Sequence, residues 1–270
     1  MCSDLVVIVD ADTPIQRIGF LDLKDYTEYE RASDANMIHV VAGATKYAAQ
    51  EFGLSGICEA DVHLHFTGAQ RPRMRNKYDQ YEIYKEGRSK KGKKGPVFVG
   101  EMTSDLYEKH NHEWTFHIAD ATEKEADDTV VSHAYECLSL GIPYVIVGVD
   151  KDLKQAAGLH YNFVKKSGEF ISKLEADLFI YYQLLVGDAA DSIGGVLGIG
   201  PVKAKQLLGK CTSASRAHEI VEEIYHDRYH DDEIFYSDWF GLFMERANKL
   251  YMHRSTVDEY QHPTKDKEVV

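Results

Sequence analysis

The chain has 270 residues, 44% of them hydrophobic, and a formal net charge of −13. That length supports one large core, or a main domain with a smaller lobe. The acidic balance argues against a generic nucleic-acid binder but leaves room for a protein whose carboxylates hold cations. Its four cysteines, Cys2, Cys58, Cys137 and Cys211, are scattered with no Cys-x-x-Cys pair. Neither a zinc ribbon nor a disulfide framework is suggested, and reduced thiols in a cytosol-like, cytoplasmic setting are the simple reading. The opening MCSDLVVIVDAD lacks a cationic n-region, so no secretory signal is expected, and no apolar run approaches the roughly 20 residues of a membrane span.

The first element is the β-branched run LVVIV at 5–9, which has the look of a buried parallel strand and ends at Asp10. Helical spacing follows over 35–52, with Met37, Val40, Val41 and Tyr47 on one face. DVHLHF at 61–66 alternates and predicts a second strand. A helix is expected over 123–140, with Thr122 as N-cap, Glu125 at the capping-box position, and Gly141 and Pro143 as stops. YVIVGV at 144–149 predicts a third strand, ending at Asp150. This alternation predicts an α/β fold with a parallel sheet. From about 175 only helices are expected: 175–186, 201–209, 214–227 and 239–251. The last ten residues, 261–270, form a polar tail.

Residues 71–94 stand apart in charge. They hold ten Lys or Arg against three Asp or Glu, a net +7, so the remainder carries −20. Tyr78, Tyr81 and Tyr84 are interleaved. Cations that contact phosphates beside aromatics that stack on bases form a nucleic-acid-binding pattern; the alternative is a solvated loop.

Acidic residues fall where a parallel sheet gathers ligands, beyond the carboxyl ends of its strands. Asp10 marks one such end, and Asp150 and Asp152 mark another. Glu125, Asp127 and Asp128 open a helix, and Asp188 and Asp191 come from the helical part. A first-turn acid alone complements the helix dipole, and a strand-end Asp alone forms turns. Four such clusters together predict a cleft that needs divalent hard cations, Mg²⁺ or Mn²⁺, to offset its repulsion. GVLGIGPVKA at 195–204 fits a helix–hairpin–helix. Gly198 and Gly200 make its turn, Pro201 opens the next helix, and Lys203 and Lys205 stand ready for phosphate. His63 and His65, and His110 and His112, form His-x-His pairs of the kind zinc uses, but no third spaced ligand or cysteine lies nearby in sequence.

Together these residues resemble the 5′-nuclease superfamily, the flap endonucleases and 5′–3′ exonucleases, with the bacteriophage exonucleases the closest in flavour. The resemblance is carried by VVIVDAD around Asp10, YKEGR with Tyr84, Lys85, Gly87 and Arg88, EADD at 125–128, VDKD with Asp150 and Asp152, and the long element Gly187 to Pro201. It implies a PIN-like parallel-sheet nuclease domain over 1–174 with a basic arch or clamp at about 69–96. A helix–three-turn–helix lobe over 175–260 would bind duplex DNA and hold K⁺ through backbone carbonyls.

The resemblance further implies a monomeric, two-metal phosphodiester hydrolase acting on DNA 5′ ends, flaps, nicks and gaps, with RNA:DNA hybrid a further substrate. Glu125, Asp127, Asp10 and Asp150 would be inner ligands, and Asp128, Asp152, Asp188 and Asp191 would serve a second ion. Lys85 and Arg88 would hold the scissile phosphate. Arg71, Arg73 and Arg75 would contact the strand in the clamp, and Tyr84 would stack on the terminal base. One departure stands out: Thr67 and Gly68 occupy the end of the second strand, where many members carry an aspartate. That leaves open a non-catalytic DNA-binding relative; the acidic α/β core is also shared by PIN-like ribonucleases, against which the GIGP element argues.

Overall fold

The structure is a computed structural model that describes residues 5–54, 60–69, 74–85, 95–230, 238–255 and 260. Arg71, Arg73 and Arg88, half of the basic run 71–94 and the tail 261–270 lie outside the described residues.

A six-stranded sheet runs in the order β3-β2-β1-β4-β5-β6, comprising β1 (Leu5–Asp10), β2 (Ala60–Thr67), β3 (Trp114–Ala119), β4 (Tyr144–Val147), β5 (Gly158–Asn162) and β6 (Ser167–Ile171). All neighbours pair parallel except β6, which folds back antiparallel on β5. The crossover helices are α1 (Asp12–Gly19), α2 (Tyr26–Glu51), α3 (Val99–His110) and α4 (Ala126–Leu140). Strand order reverses at β1, so the crevice beyond its carboxyl end, shared with β4, is the ligand position expected of an open α/β sheet. Asp10 sits at that end.

Alternation along β1 assigns its two faces. Val7 and Val9 pack with Met37 and Val40 of α2 and Leu106 of α3. Val6 and Ile8 pack with Val130, Val131 and Ala134 of α4. Helices α5 (Lys173–Val186), α6 (Pro201–Leu208), α7 (Ala214–Tyr229) and α8 (Trp239–Leu250) build a separate core around Leu184, Val221, Tyr225 and Phe243. The lobe is tied to the sheet through buried polar groups. Gln155 donates to Gln183 Oε1 at 2.8 Å and to the Leu250 carbonyl at 2.6 Å, and Gln183 donates to Asp152 Oδ1 at 2.7 Å.

Three expectations shift. α2 begins at Tyr26 rather than 35, because the Asp25 side chain accepts from Glu28 N–H and caps the helix. α4 begins after Glu125, not after Thr122, whose hydroxyl is engaged by Asp120 at 2.7 Å. β3, β5 and β6, with α1 and α3, were not anticipated. β3 and β6 are edge strands with exposed Ile118 and Phe170, so neither shows a clean buried pattern. None of the described helices is long and apolar enough to cross a membrane.

Where α5 ends, Gly187 adopts φ +79° and pairs with Gly194 in a two-residue ladder. A Cβ on Gly187 would lie 2.4 Å from Gly195 N and 2.7 Å from the Ile193 carbonyl oxygen. Both are backbone atoms that cannot swing aside. Gly187→Ala should therefore cost at least ~2 kcal/mol, combining left-handed strain with a steric clash; a urea midpoint equal to wild type would contradict this.

Candidate active site

Eight carboxylates line one cleft: Asp10 and Asp12 from β1 and α1, Glu125 and Asp127 from the start of α4, Asp150 and Asp152 after β4, and Asp188 and Asp191 after α5. Seven of these were expected there; Asp12 was not. Its two oxygens accept from the Thr67 N–H at 3.1 and 3.2 Å. The first turn of α1 thus sets a carboxylate beside the end of β2, where Thr67 and Gly68 left the acid missing. Asp12 was legible as an acid two residues after Asp10, but only the turn into α1 shows that both face the cleft.

Among these acids, carboxylate oxygens of Asp152, Asp188 and Asp191 lie within 4.8 Å of one another. The Lys151 ammonium sits among them, 2.5 Å from Asp188 Oδ2 and 3.3 Å from Asp152 Oδ1. Burial alone would raise the Asp188 pKa, but the Lys151 hydrogen bond and charge outweigh it and hold the carboxyl below its usual value. Asp150 braces this turn by accepting from the Asp152 N–H at 2.9 Å.

The remaining acids are electrostatically crowded. Burial, reinforced by Asp12 and Asp150, pushes Asp10 up to about 7. Burial, reinforced by Asp150, pushes Asp152 up to about 6. Burial next to Asp128 holds Asp127 well above the carboxylate range. A site made of hard oxygen donors that retain protons for want of positive charge suits hard divalent cations.

Lys85 supplies one cation at the cleft. Its ammonium lies 3.0 and 3.1 Å from the two Glu125 oxygens, and its own N–H donates to the Asp191 carbonyl at 2.7 Å. Its backbone is held at φ +57°, a left-handed conformation that a lysine adopts only when its surroundings enforce it.

Three site expectations need correction. Arg75 is not a strand contact. It is wholly buried beneath the cleft, forking onto both Asp128 oxygens at 2.9 and 2.8 Å, reaching Glu125 Oε2 at 2.9 Å, and donating to the carbonyls of Lys249 and Tyr251. Asp128 does not face the cleft. Besides Arg75, its carboxylate accepts from the N–H groups of Glu125 (3.0 Å) and His253 (3.1 Å), leaving no geometry for an ion. Burial alone would raise its pKa, but the Arg75 charge and hydrogen bonds hold it low. Tyr84 is not available for base stacking. Its ring belongs to the helical core, and its hydroxyl stands 2.9 Å from Glu125 Oε2 and 3.1 Å from Asp191 Oδ2, where burial keeps it protonated.

Beyond the cleft, Val196 N–H donates to the Leu185 carbonyl and Ile199 N–H to the Val196 carbonyl, closing the turns between α5 and α6. Gly198 takes φ +83°, Gly200 caps α6, and Pro201 opens it. Gly198, Gly200, Lys203 and Lys205 are all exposed on this side of the lobe.

No protein-family model matches the chain. A flap endonuclease Xni from Shewanella piezotolerans is 30% identical over 154 residues, covering 53% of this chain and 58% of that protein. The DNA polymerase I of Deinococcus radiodurans is 25% identical over 153 residues, 54% of this chain and 16% of the polymerase. The chain thus spans a little over half the length of the flap endonuclease it matches. In fold, bacteriophage T5 D15 protein co-crystallised with metal ions superposes with a TM-score of 0.57 at 12% identity, covering 91% of each chain. T5 D15 flap endonuclease in a pseudo-enzyme–product complex with DNA and metal ions gives 0.54 at 13% identity, over 91% of this chain and 97% of that one. The chain resembles the 5′-nuclease superfamily in both sequence and fold.

Two outcomes follow from the site's electrostatics. Arg75→Met strands Asp128 and Glu125 without their buried partner and should destabilise the protein by about 3–5 kcal/mol. Adding Asp128→Asn should recover part of that loss, and urea denaturation of the single and double variants checks it. The second outcome concerns pH. A carboxyl whose pKa is raised on folding stabilises the fold below about pH 4, and that contribution is lost as pH climbs through the raised value. Asp152 and Asp10 therefore become costly between about 4 and about 7. The gain in Tm on adding Mg²⁺ to EDTA-treated protein should grow with pH across that window. Taking the difference removes contributions from groups that do not meet the ion; a Mg²⁺ increment independent of pH would refute it.

Proposed function

We propose that the chain is a divalent-metal-dependent 5′ nuclease that hydrolyses phosphodiester bonds of DNA at 5′ ends and flaps. The observation that carries this reading is the convergence of carboxylates from β1, α1, α4, the β4 end and the helical lobe on one cleft with Lys85 beside them. The fold shared with T5 D15 protein and the partial sequence match to flap endonuclease Xni support it.

Asp152, Asp188 and Asp191 would hold one ion, and Asp10, Asp12, Asp127 and Asp150 the other; the donors are oxygens throughout, which suits Mg²⁺ with Mn²⁺ as a substitute. When bound, such a pair supplies an activated water and neutralises the departing 3′-oxygen. The protein's own groups position the strand. Lys85, held on Glu125 in a constrained backbone conformation, presents its ammonium to the scissile phosphate and stabilises the charge that develops there. Tyr84 and Arg75 fix Glu125 from behind, so that the carboxylate does not follow the lysine away. Asp10 and Asp152, crowded into partial protonation, lose that proton when positive charge arrives.

The exposed start of α6 would grip duplex phosphates with backbone N–H groups, aided by Lys203 and Lys205, and K⁺ held by the preceding carbonyls would assist. Arg71, Arg73 and Arg88 would track the single-stranded portion. RNA:DNA hybrid is a further candidate substrate.

A labelled 5′-flap duplex incubated in Mg²⁺ tests this. EDTA should abolish cleavage. Asp150→Ala and Asp188→Ala should slow it by at least about 10²–10³-fold, and Lys85→Ala by about 10²-fold, while duplex binding persists. Wild-type rates in the aspartate variants, or cleavage in EDTA, would overturn the assignment.

A further inference from the structure

On its α4 side the sheet changes character from one half to the other. Under β1 and β4 that face is aliphatic, with Val6, Ile8 and Ile146 against Val130, Val131 and Ala134. Under β2 and β3 the corresponding places are imidazoles. His63 and His65 are two apart on β2, His65 lies in register with His117 of β3, and His133 comes down from α4. The four rings form one stack and corner. His65 and His117 lie 4.4 Å apart and nearly parallel, and His63 meets His133 edge-on at 4.4 Å. One ring nitrogen from each of His63, His117 and His133 lies within 4.8 Å of one from each of the others.

The hydrogen bonds indicate where the protons are. The Thr129 hydroxyl spends its only hydrogen on the Ala126 carbonyl, 2.8 Å away, so at 2.9 Å it must accept from His65 Nδ1–H. Neutral His65 then carries its lone pair on Nε2, which accepts from His133 Nδ1–H at 3.2 Å. That leaves the His133 lone pair on Nε2. His63 Nε2 lies 3.2 Å from Asp61 Oδ1, whose charge favours the proton on that nitrogen and so a lone pair on Nδ1, which faces His117 Nε2 at 2.9 Å. Shifting the His117 proton from Nε2 to Nδ1 gives a third lone pair with no change of charge. Burial, then the neighbouring rings, lower the affinity of His65, His117 and His133 for a second proton, and for His133 the pKa falls to about 4.

We propose that His63, His117 and His133 form a binding site for a borderline divalent transition metal of the Zn²⁺ class, separate from the acidic cleft. The donor set suits it: imidazole nitrogens favour zinc and its neighbours over Mg²⁺. Tetrahedral zinc with Zn–N bonds near 2.0–2.1 Å requires nitrogens about 3.3–3.4 Å apart, a spacing the three rings reach with small rotations. The Asp61 carboxylate stands beside the His63 ring, and Thr129 through His65 orients the His133 ring; carboxylates and hydroxyls behind metal-bound histidines commonly do this. All three ligands are half-buried beside the edge strand β3, which gives an ion a route in from solvent and leaves its fourth position for water. The site would clamp the β2–β3 half of the sheet to α4. The His-x-His pair on β2 supplies one ligand, His63. The other pair is spent elsewhere: His110 binds Asp34 at 2.7 Å and stacks on Trp114.

Cobalt(II) titrated into the chain in a large excess of Mg²⁺, which keeps the oxygen donors of the cleft engaged, reads the site directly. One equivalent should produce the intense visible absorption of a tetrahedral nitrogen site, bleached by Zn²⁺ and absent from His117→Gln and from His133→Gln. Circular dichroism confirms that the variants are folded. Absence of that absorption in wild type, or its persistence in either folded variant, overturns the proposal. Should both variants unfold, anomalous diffraction from a zinc-soaked wild-type crystal decides: a peak among the three rings supports the site, and zinc found only in the acidic cleft overturns it.

Discussion

Carboxylates held together out of water repel one another, and the design of this chain follows from how that repulsion is met. Part of the answer is covalent to the chain. Arg75 lies beneath the cleft on Asp128 and Glu125, Lys85 lies beside it on Glu125, and Lys151 lies across it on Asp188 and Asp152. Among the described residues, three cations against eight lining acids leave a deficit, and the raised proton affinities of Asp10, Asp127 and Asp152 show where it falls. The fold thus separates two kinds of acid. Asp128 is neutralised by the protein and serves as structure; Glu125 lines the cleft but already meets Arg75 and Lys85, whereas Asp10, Asp127 and Asp152 remain under-compensated.

That division explains why the two lobes cannot be considered apart. Arg75 reaches the Lys249 and Tyr251 carbonyls at the end of α8 while holding the first turn of α4. Tyr84 is packed in the helical core while its hydroxyl touches Glu125 from α4 and Asp191 from the lobe. Gln183 of α5 donates to Asp152 of the sheet. These bonds are buried or partly buried, where an unmet partner is costly, so the relative placement of the lobes is specified by polar pairing rather than by apolar contact alone.

Most of the cleft was legible in the sequence for a simple reason. Strand-end acids at Asp10 and Asp150, and a helix opening on Glu125 and Asp127, are local patterns, and the strand order of a parallel α/β sheet brings such local patterns to one edge. What was not legible was direction. A run with ten cations reads as a surface, and nothing in its composition says that Arg75 turns inward or that Tyr84 fills a core. EADD likewise reads as three cleft acids, yet the helical turn sends Asp128 away from Asp127 and onto the buried guanidinium. The histidines were half legible: alternation put His63 and His65 on one face, but His117 and His133 join them only through strand register and helix packing, which no spacing along the chain records.

Thr67 shows how the missing acid at the end of β2 is accommodated. Its hydroxyl accepts from Ala126 N–H at 2.8 Å, satisfying one of the unpaired donors at the start of α4, and its own N–H holds both oxygens of Asp12. A carboxylate at this position could take the Ala126 hydrogen bond, but it would face Asp12 across a short gap and add a ninth charge beside Asp10, whose pKa already stands at about 7. A neutral acceptor keeps the helix start anchored without that repulsion. The acid is then supplied two elements earlier, from α1, where the Thr67 N–H steadies it. The cleft therefore keeps its charge at this corner while moving the residue that bears it, an exchange that only the turn from β1 into α1 makes possible.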